Sequence, residues 1–171
     1  NYSTGMASGT LVASGGNVSF TEIEVIDLTG DDTGNVTVNG TNGNDAINQF
    51  GNTITVNDGA IVAFSGYPVL SLNGKSGDDT FNLHTGTLTG VTNVLVTGGD
   101  PTASDTVIYN GVAGSNSFDI SQIGANSATL NGVGPTAQIS GGERHGGRLA
   151  QAECLSPLEE LTELLNGFRQ D

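Results

Sequence analysis

The feature that most constrains this chain is a short pattern that occurs three times. An apolar residue and Asn-Gly are followed by two variable residues, Gly, one variable residue, Asx, a small residue, an apolar residue and Asx. The pattern occupies residues 38–48, 72–82 and 109–119, at steps of 34 and 37 residues. A repeat of this length is typical of chains whose successive segments stack as layers. The sequence therefore predicts a layered architecture.

Each repeat carries its own turn chemistry. Asn tolerates a positive φ and Gly adopts one without steric cost, so each Asn-Gly pair is predicted to end a strand sharply. The Asx that follows is predicted to accept hydrogen bonds from the turn backbone. If the layers stack in the order of the repeats, Asn39, Asn73 and Asn110 lie above one another and their amides form a ladder.

Short apolar segments separated by polar turn clusters indicate an all-β chain. Strands are predicted at residues 22–28, 36–38, 46–48, 53–56, 60–64, 69–72, 80–83, 91–96, 106–109, 117–120, 128–130 and 137–139. The predicted fold is a parallel β-helix or solenoid-like stack of short strands, followed by a short C-terminal α-helix. An antiparallel β-sandwich is the alternative, because Asn-Gly pairs also close two-residue hairpins.

Composition limits both the core and the partners. The chain has 27 Gly, no Trp, six Phe and three Tyr among 171 residues, so bulky side chains cannot fill a wide interior and a narrow stack is favoured. Eighteen acidic and four basic residues give a net charge of −14, which excludes nucleic acid as a partner because it repels phosphate. No run of apolar residues approaches the ~18 that a membrane-spanning helix needs, so membrane insertion is not expected.

Four segments are predicted along the chain. Residues 1–19 form an N-terminal strand or cap, residues 20–140 the β-repeat domain, residues 141–155 a Gly-rich junction and residues 156–171 an amphipathic helix. Ser156 is the predicted helix cap, with Pro157 in the first turn. The helix is interpreted as a cap on an open end of the stack or as a docking helix for another subunit. A segment foreign to the repeat is the remaining interpretation.

Three runs carry a resemblance: GDDTFN at 77–82, VLVTGGDP at 94–101 and SDTVIYNG at 104–111. Residues 20–140 resemble the Gly/Asn/Asp/Thr-rich tandem repeats of giant exported bacterial surface proteins. That resemblance implies a cell-surface, matrix or adhesive material outside a bacterial cell. Residues 43–47 and 77–81 are also similar to half-units of the calcium-binding nonapeptide repeats that form β-rolls. The consecutive nine-residue spacing of such a roll is absent.

Acidic residues in the Gly-rich turns are the candidate metal ligands. Calcium takes six to eight oxygen ligands, which clustered carboxylates supply. The candidates are Asp31, Asp32, Asp45, Asp78, Asp79, Asp100 and Asp105. The alternative interpretation is that these acids bond to turn amides. Neither His84 nor His145 accompanies a recognisable nucleophile motif, so no catalytic residue, no other cofactor and no enzyme activity are expected.

The expected function is that of an extracellular structural or adhesive module, acting as a stiff spacer or as a fibre subunit. The open ends of a β-stack expose unpaired backbone groups, so the expected partners are further copies or neighbouring repeats in a tandem array. The alternative is a module that binds Ca²⁺ or a surface glycan. Tyr67 and Tyr109 are the aromatic side chains best suited to a glycan.

Overall fold

The computed structural model describes residues 7–13, 16–99, 105–113, 116–124 and 127–141. Within these ranges the regular structure consists of β-strands and a single 3₁₀ turn at Thr85–Thr87. The strands are β1 Ala7–Ala13, β2 Gly16–Ile23, β3 Val25–Thr29, β4 Asn35–Asn39, β5 Ala46–Phe50, β6 Thr53–Val56, β7 Ile61–Ser65, β8 Val69–Lys75, β9 Thr80–Leu83, β10 Asn93–Gly99, β11 Thr106–Tyr109, β12 Asp119–Gly124, β13 Ser127–Asn131 and β14 Thr136–Ser140. The all-β prediction is confirmed, and each predicted strand overlaps an observed one.

The strands form two six-stranded mixed sheets and a separate hairpin. Sheet I has the order β12-β13-β14-β10-β8-β4, and sheet II has the order β11-β9-β5-β6-β7-β3. The hairpin pairs β1 with β2 in antiparallel orientation. Because both sheets contain antiparallel pairs, the described strands do not form a closed solenoid. The predicted C-terminal helix and the junction beyond Gly141 lie outside the described residues.

Part of each sheet is parallel and layered. In sheet I, β4, β8 and β10 pair in parallel, and in sheet II β5, β9 and β11 do the same. The chain passes from sheet I to sheet II after β4, after β8 and after β10. We call β4 with β5 the first layer, β8 with β9 the second layer and β10 with β11 the third layer.

The first two repeats stack as the sequence predicts, whereas the third does not. Asn39 lies opposite Asn73 and Ala46 opposite Thr80, which reproduces the step of 34 residues. In the third layer, Thr97 lies opposite Asn73 and Thr106 opposite Thr80. The third layer is therefore supplied by the segment that precedes the 109–119 repeat, and the prediction that this repeat forms a layer is wrong.

The core lies between the layered strands and is built from alternate residues. Along β4, Val36 and Val38 are buried while their neighbours are exposed, as a strand with one face on a core requires. Leu70 and Leu72 of β8 continue these two rows in the next layer, and Val94 and Val96 of β10 follow. The buried apolar side chains are Val36, Val38, Ile47, Ile54, Phe64, Leu70, Leu72, Phe81, Leu83, Val94, Val96, Val107, Tyr109, Ala128, Leu130 and Ala137.

The sequence predicts no membrane insertion, because a membrane-spanning helix needs about 18 or more consecutive apolar residues. Within the described ranges, no helix has the length and apolar character needed to cross a membrane.

Candidate functional site

Three of the predicted ligands lie in one column at the connections between the two sheets. The backbone N–H of Asp45 donates to Oδ1 of Asp79 at 2.9 Å, and the N–H of Asp79 donates to Oδ1 of Asp105 at 3.0 Å. The N–H groups of Thr80 and Thr106 donate to the backbone oxygens of Asp45 and Asp79, each at 2.8 Å. We call Asp45, Asp79 and Asp105 the acid column. Each carboxylate in the second and third layers thus accepts a backbone hydrogen of the layer before it.

Gly40, Gly74 and Gly98 make room for the acid column. A Cβ on Gly74 would lie 2.0 Å from Oδ2 of Asp79 and 2.7 Å from its Cγ. A Cβ on Gly40 would lie 2.5 Å from Oδ2 of Asp45, and a Cβ on Gly98 would lie 2.0 Å from Oδ2 of Asp105. These positions therefore require Gly because the carboxylate packs against the main chain.

The predicted reason for Gly at these positions is wrong. Neither Gly40 nor Gly74 has a positive φ. In the second layer the left-handed residues come later, at Lys75 with φ 81° and Gly77 with φ 111°. Because Gly74 is extended, β8 continues through the Asn-Gly pair to Lys75 before the chain turns.

Asp45 stands at the first-layer end of the column, where its carboxylate is bonded by side chains and by the turn. Oδ2 accepts from the N–H of Thr41 at 2.6 Å, and the Thr41 hydroxyl lies 3.0 Å from Oδ1. The Nδ2 of Asn57 also donates to Oδ1 of Asp45. These donors satisfy a carboxylate that is only 3% exposed.

Asn57 occupies the place that a further layer would take next to β5. Its Oδ1 accepts from the N–H of Ala46 at 2.8 Å, and its own N–H donates to the Ala46 oxygen at 2.9 Å. Its Nδ2 reaches the Asp45 carboxylate, as the backbone N–H of Asp45 reaches Asp79. Asn57 lies in the β6–β7 turn with φ 51°, a conformation that Asn tolerates better than most residues. The acid column is thus capped at this end by an amide side chain.

Asp79 lies inside the column in a different environment. It is 1% exposed, and its Oδ2 is buried without a hydrogen-bond partner. Burial raises the pKa of the Asp79 carboxyl, and the charges of Asp105, Asp45 and Asp78 raise it further, against the hydrogen bond from Asp45. The second layer therefore holds a buried acid whose proton is retained to higher pH than usual.

Two amide ladders run beside the acid column. Nδ2 of Asn73 donates to Oδ1 of Asn39 at 3.2 Å, as predicted for that pair. Asn110 belongs instead to the sheet II ladder, where its Nδ2 donates to Oδ1 of Asn82 at 2.6 Å. Asn82 in turn donates to Asn48 at 3.3 Å. The predicted ladder of Asn39, Asn73 and Asn110 is therefore correct for the first two residues and wrong for the third.

The remaining predicted ligands within the described residues are not part of the column, although Asp78 is the chain neighbour of Asp79. Asp31 and Asp32 are in the β3–β4 connection, where Asp31 accepts from the Thr33 hydroxyl at 2.5 Å and from its N–H at 3.2 Å. These bonds lower the pKa of Asp31. Asp78 is exposed, and its N–H donates to Oδ1 of Asn44 at 2.9 Å. Asp100 is outside the described residues.

The acid column is not arranged as a metal centre. Among the residues that the structure describes, no group of three or more His, Cys, Asp or Glu side chains is suited to hold a metal ion.

The aromatic side chains expected to contact a glycan are placed differently from the prediction. Tyr109 is buried, its hydroxyl donates to the Val133 oxygen at 3.0 Å, and its ring packs edge-on against Phe118. Tyr67 is half-buried against the core. Phe50, which the sequence analysis did not single out, is 64% exposed and packs edge-on against His84 with ring centroids 5.4 Å apart. Phe50 is the last residue of β5 and precedes the Gly51-Asn52 turn, and this place at a strand end was the sign of its exposure in the sequence.

Comparison with known proteins found no relative of this chain. No protein-family model matches the chain, and no curated protein or solved structure is significantly similar to it.

Proposed function

We propose that this chain is an extracellular structural or adhesive repeat module of a bacterial surface, acting as a stiff spacer or fibre subunit. The observation that carries the proposal is the register of the three layers. Strands of one layer lie in register on those of the next in both sheets, and the acids and the paired amides are bonded from layer to layer. In this proposal the layered region is a short parallel solenoid-like stack, which β14 continues in parallel in sheet I and to which β6 is attached in antiparallel orientation in sheet II.

The side-chain columns support a mechanical role. Besides the main-chain ladders, consecutive layers are joined by backbone-to-carboxylate bonds at Asp79 and Asp105 and by amide bonds at Asn73, Asn82 and Asn110. Separating the first and second layers breaks the bonds at Asp79, Asn73 and Asn82 together, and separating the second and third layers breaks those at Asp105 and Asn110. Networks of bonded polar groups make a structure rigid where their members are paired, as the amides are in the Asn39–Asn73 and Asn48–Asn82–Asn110 ladders. A layered region of this kind resists bending better than a core of similar size held by apolar contacts alone.

The ends of the sheets support a role in assembly. Strands β4 and β12 are the edges of sheet I, and β3 and β11 are the edges of sheet II. An edge strand presents unpaired N–H and C=O groups to another strand. The partners proposed are further copies of the chain or neighbouring repeats of a tandem array.

Electron microscopy of the purified chain over a range of concentrations tests the proposal. We expect filaments for a fibre subunit, or isolated elongated particles for a spacer. Immunogold labelling of cells that produce the protein is expected to place it on their outer surface. Compact round particles that never associate, together with labelling confined to the cell interior, would contradict both versions of the proposal.

A further inference from the structure

The described residues contain five Asn-Gly pairs, which are chemically the most reactive dipeptides of the chain. The pairs begin at Asn39, Asn42, Asn73, Asn110 and Asn131. In such a pair the backbone nitrogen of Gly can attack Cγ of Asn, since Gly has no Cβ to obstruct the approach. The reaction needs an amide side chain that is free to move and a Gly N–H that can lose its proton.

Two of the pairs are held by the ladder of sheet I. The N–H of Gly40 donates to the Asn73 oxygen at 2.7 Å, so the nitrogen that would attack Asn39 is bonded to the next layer. The Asn73 amide is fixed on both sides, because Nδ2 donates to Asn39 and Oδ1 accepts from the N–H of Lys75 at 3.2 Å.

Two further pairs are also held by their side chains. Nδ2 of Asn110 donates to Oδ1 of Asn82 at 2.6 Å and to the Leu83 oxygen at 3.1 Å. Oδ1 of Asn131 accepts from the Thr136 hydroxyl at 2.9 Å. Turning either amide toward the following Gly nitrogen would break these bonds.

Asn42 differs from the other four. It lies in the exposed connection between β4 and β5, and its side chain makes no hydrogen bond within the described structure. The second layer carries Ser76 at the corresponding position, so the reactive amide is confined to the first layer.

The nitrogen that would attack Asn42 donates to a side-chain hydroxyl. The N–H of Gly43 donates to the Thr41 hydroxyl at 3.1 Å. That hydroxyl lies 3.0 Å from Oδ1 and 3.1 Å from Oδ2 of Asp45 and 3.5 Å from the Gly43 oxygen, so the carboxylate is its nearest acceptor. The three groups form a relay in which Thr41 takes the proton of Gly43 as it passes its own toward Asp45. This is the geometry of general-base assistance through a hydroxyl.

We propose that Asn42-Gly43 is a self-modification site, at which the Thr41 hydroxyl, oriented by Asp45, promotes succinimide formation. The Gly43 nitrogen forms a bond to Cγ of Asn42 and gives up its proton to the relay. The bond from Cγ to Nδ2 breaks, and Nδ2 leaves as ammonia with a proton returned by the relay. Water then opens the ring at either carbonyl and leaves an aspartyl or an isoaspartyl residue at position 42. The product adds a negative charge to the first-layer connection.

Peptide mapping by mass spectrometry of the folded protein, aged at neutral pH, tests the inference. We expect conversion of the amide to the acid at Asn42 first, and isoaspartyl-specific methylation of the same peptide. Thr41→Val keeps the side-chain shape and is expected to slow the reaction at Asn42 about tenfold or more. Thr41→Ser is expected to restore the rate, and Asn42→Ser, which copies the second layer, is expected to remove the product.

Two further measurements separate the relay from mere exposure. In the denatured chain, all six Asn-Gly pairs, which include Asn166-Gly167 outside the described residues, are expected to react at comparable rates. In the folded chain, the advantage of the wild type over Thr41→Val is expected to shrink as pH rises, because hydroxide then removes the Gly43 proton directly. The proposal is overturned if another of the five described pairs reacts before Asn42 in the folded protein, or if Thr41→Val reacts as fast as the wild type.

Discussion

The connections of the first and second layers are built from one sequence pattern, yet they hold their acids in different hydrogen-bonding environments. Asp45 accepts bonds from Thr41 and Asn57, whereas Asp79 has one bonded oxygen and one buried oxygen without a partner. The difference follows from position in the column. The acid at the end is satisfied by side chains of its own layer and of the β6–β7 turn, while the acid inside is enclosed by neighbours of the same charge. A repeated sequence therefore need not give a repeated chemistry.

The largest loss of stability is expected where a glycine packs against the acid of its own connection, as Gly74 packs against Asp79. Gly74→Ala places a Cβ 2.0 Å from Asp79 Oδ2 and 2.8 Å from the Gly98 oxygen. We expect a loss of about 3 kcal/mol in the free energy of unfolding, because both neighbours are held in place. Urea unfolding followed by circular dichroism measures it.

Gly43→Ala is the matched control for this prediction. Its Cβ would meet only the Thr41 hydroxyl, at 3.9 Å, and the position has no positive φ. A change within about 0.5 kcal/mol is expected. Equal losses in the two variants would show that the glycines matter through the unfolded chain and not through contact with the acid.

The second prediction compares the two acids directly. Asp45→Asn turns an NH₂ group toward N–H donors in either orientation of the amide, and we expect a loss of about 2 kcal/mol. Asp79→Asn keeps the oxygen that accepts from Asp45 and removes a buried charge, so at neutral pH we expect a gain on the order of 1 kcal/mol. Thermal unfolding of both variants at one pH gives the comparison.

The pH dependence of the free energy of unfolding, compared between the wild type and Asp79→Asn, tests the buried charge of Asp79 separately. Because the pKa of Asp79 is raised in the folded protein, the folded state binds more protons than the unfolded state between the unfolded pKa and the folded pKa. The contribution of Asp79 to stability is therefore complete below the unfolded pKa of 3.8 and is lost as pH rises through the folded pKa. We expect the advantage of Asp79→Asn to vanish on acidification. An advantage that is constant with pH would contradict the buried charge.

The third prediction concerns the cap on the first layer. Asn57→Gly removes the amide that bonds Asp45 and Ala46 while it retains a residue suited to φ 51°. We expect a loss of about 1–2 kcal/mol, the usual cost of leaving a buried acceptor short of a donor. Asp58→Gly, at φ 55° in the same turn, is the control, since it removes no hydrogen bond of the column. If both variants lose the same amount, Asn57 acts through the turn alone.

Much of the fold was predictable from local pattern. The bounds of β6, β9 and β11 agree with the prediction, because each is a short apolar alternation between polar turns. Burial at every second residue of β4 follows from the same alternation. The end of β8 at Lys75 was not predictable in this way. Gly74 lies within the strand, and Gly is needed there because Asp79 and the Gly98 oxygen of the next layer pack against it, and not because the chain turns.

The third layer shows where sequence comparison fails. Matching of residue types selected the repeat at 109–119, but stacking is decided by which strand continues the buried rows, and Val94 and Val96 do so. Gly98 and Asp105 keep the glycine-then-acid order of the earlier layers with two more residues between them, which hid the match. Residue type alone singled out the turn acids, whereas the separation of buried Asp79 from exposed Asp78 required the pairing of distant strands.

The smallest effect on thermal stability is expected from removing divalent cations. The measurement tests whether Asp45 and Asp79 bond to the protein chain or to a metal ion. Calcium requires six to eight oxygen ligands, but the Asp45 oxygens already accept from Thr41 and Asn57, and Asp79 Oδ2 is packed against Gly74. We therefore expect chelator to leave the thermal midpoint unchanged. A metal at a hundred times its dissociation constant would instead add about 2.7 kcal/mol. If calcium raises the midpoint and Asp79→Asn abolishes that rise, the acid column is a calcium site after all. If Asp31→Asn abolishes it, the metal lies at the β3–β4 connection and the column keeps its structural role.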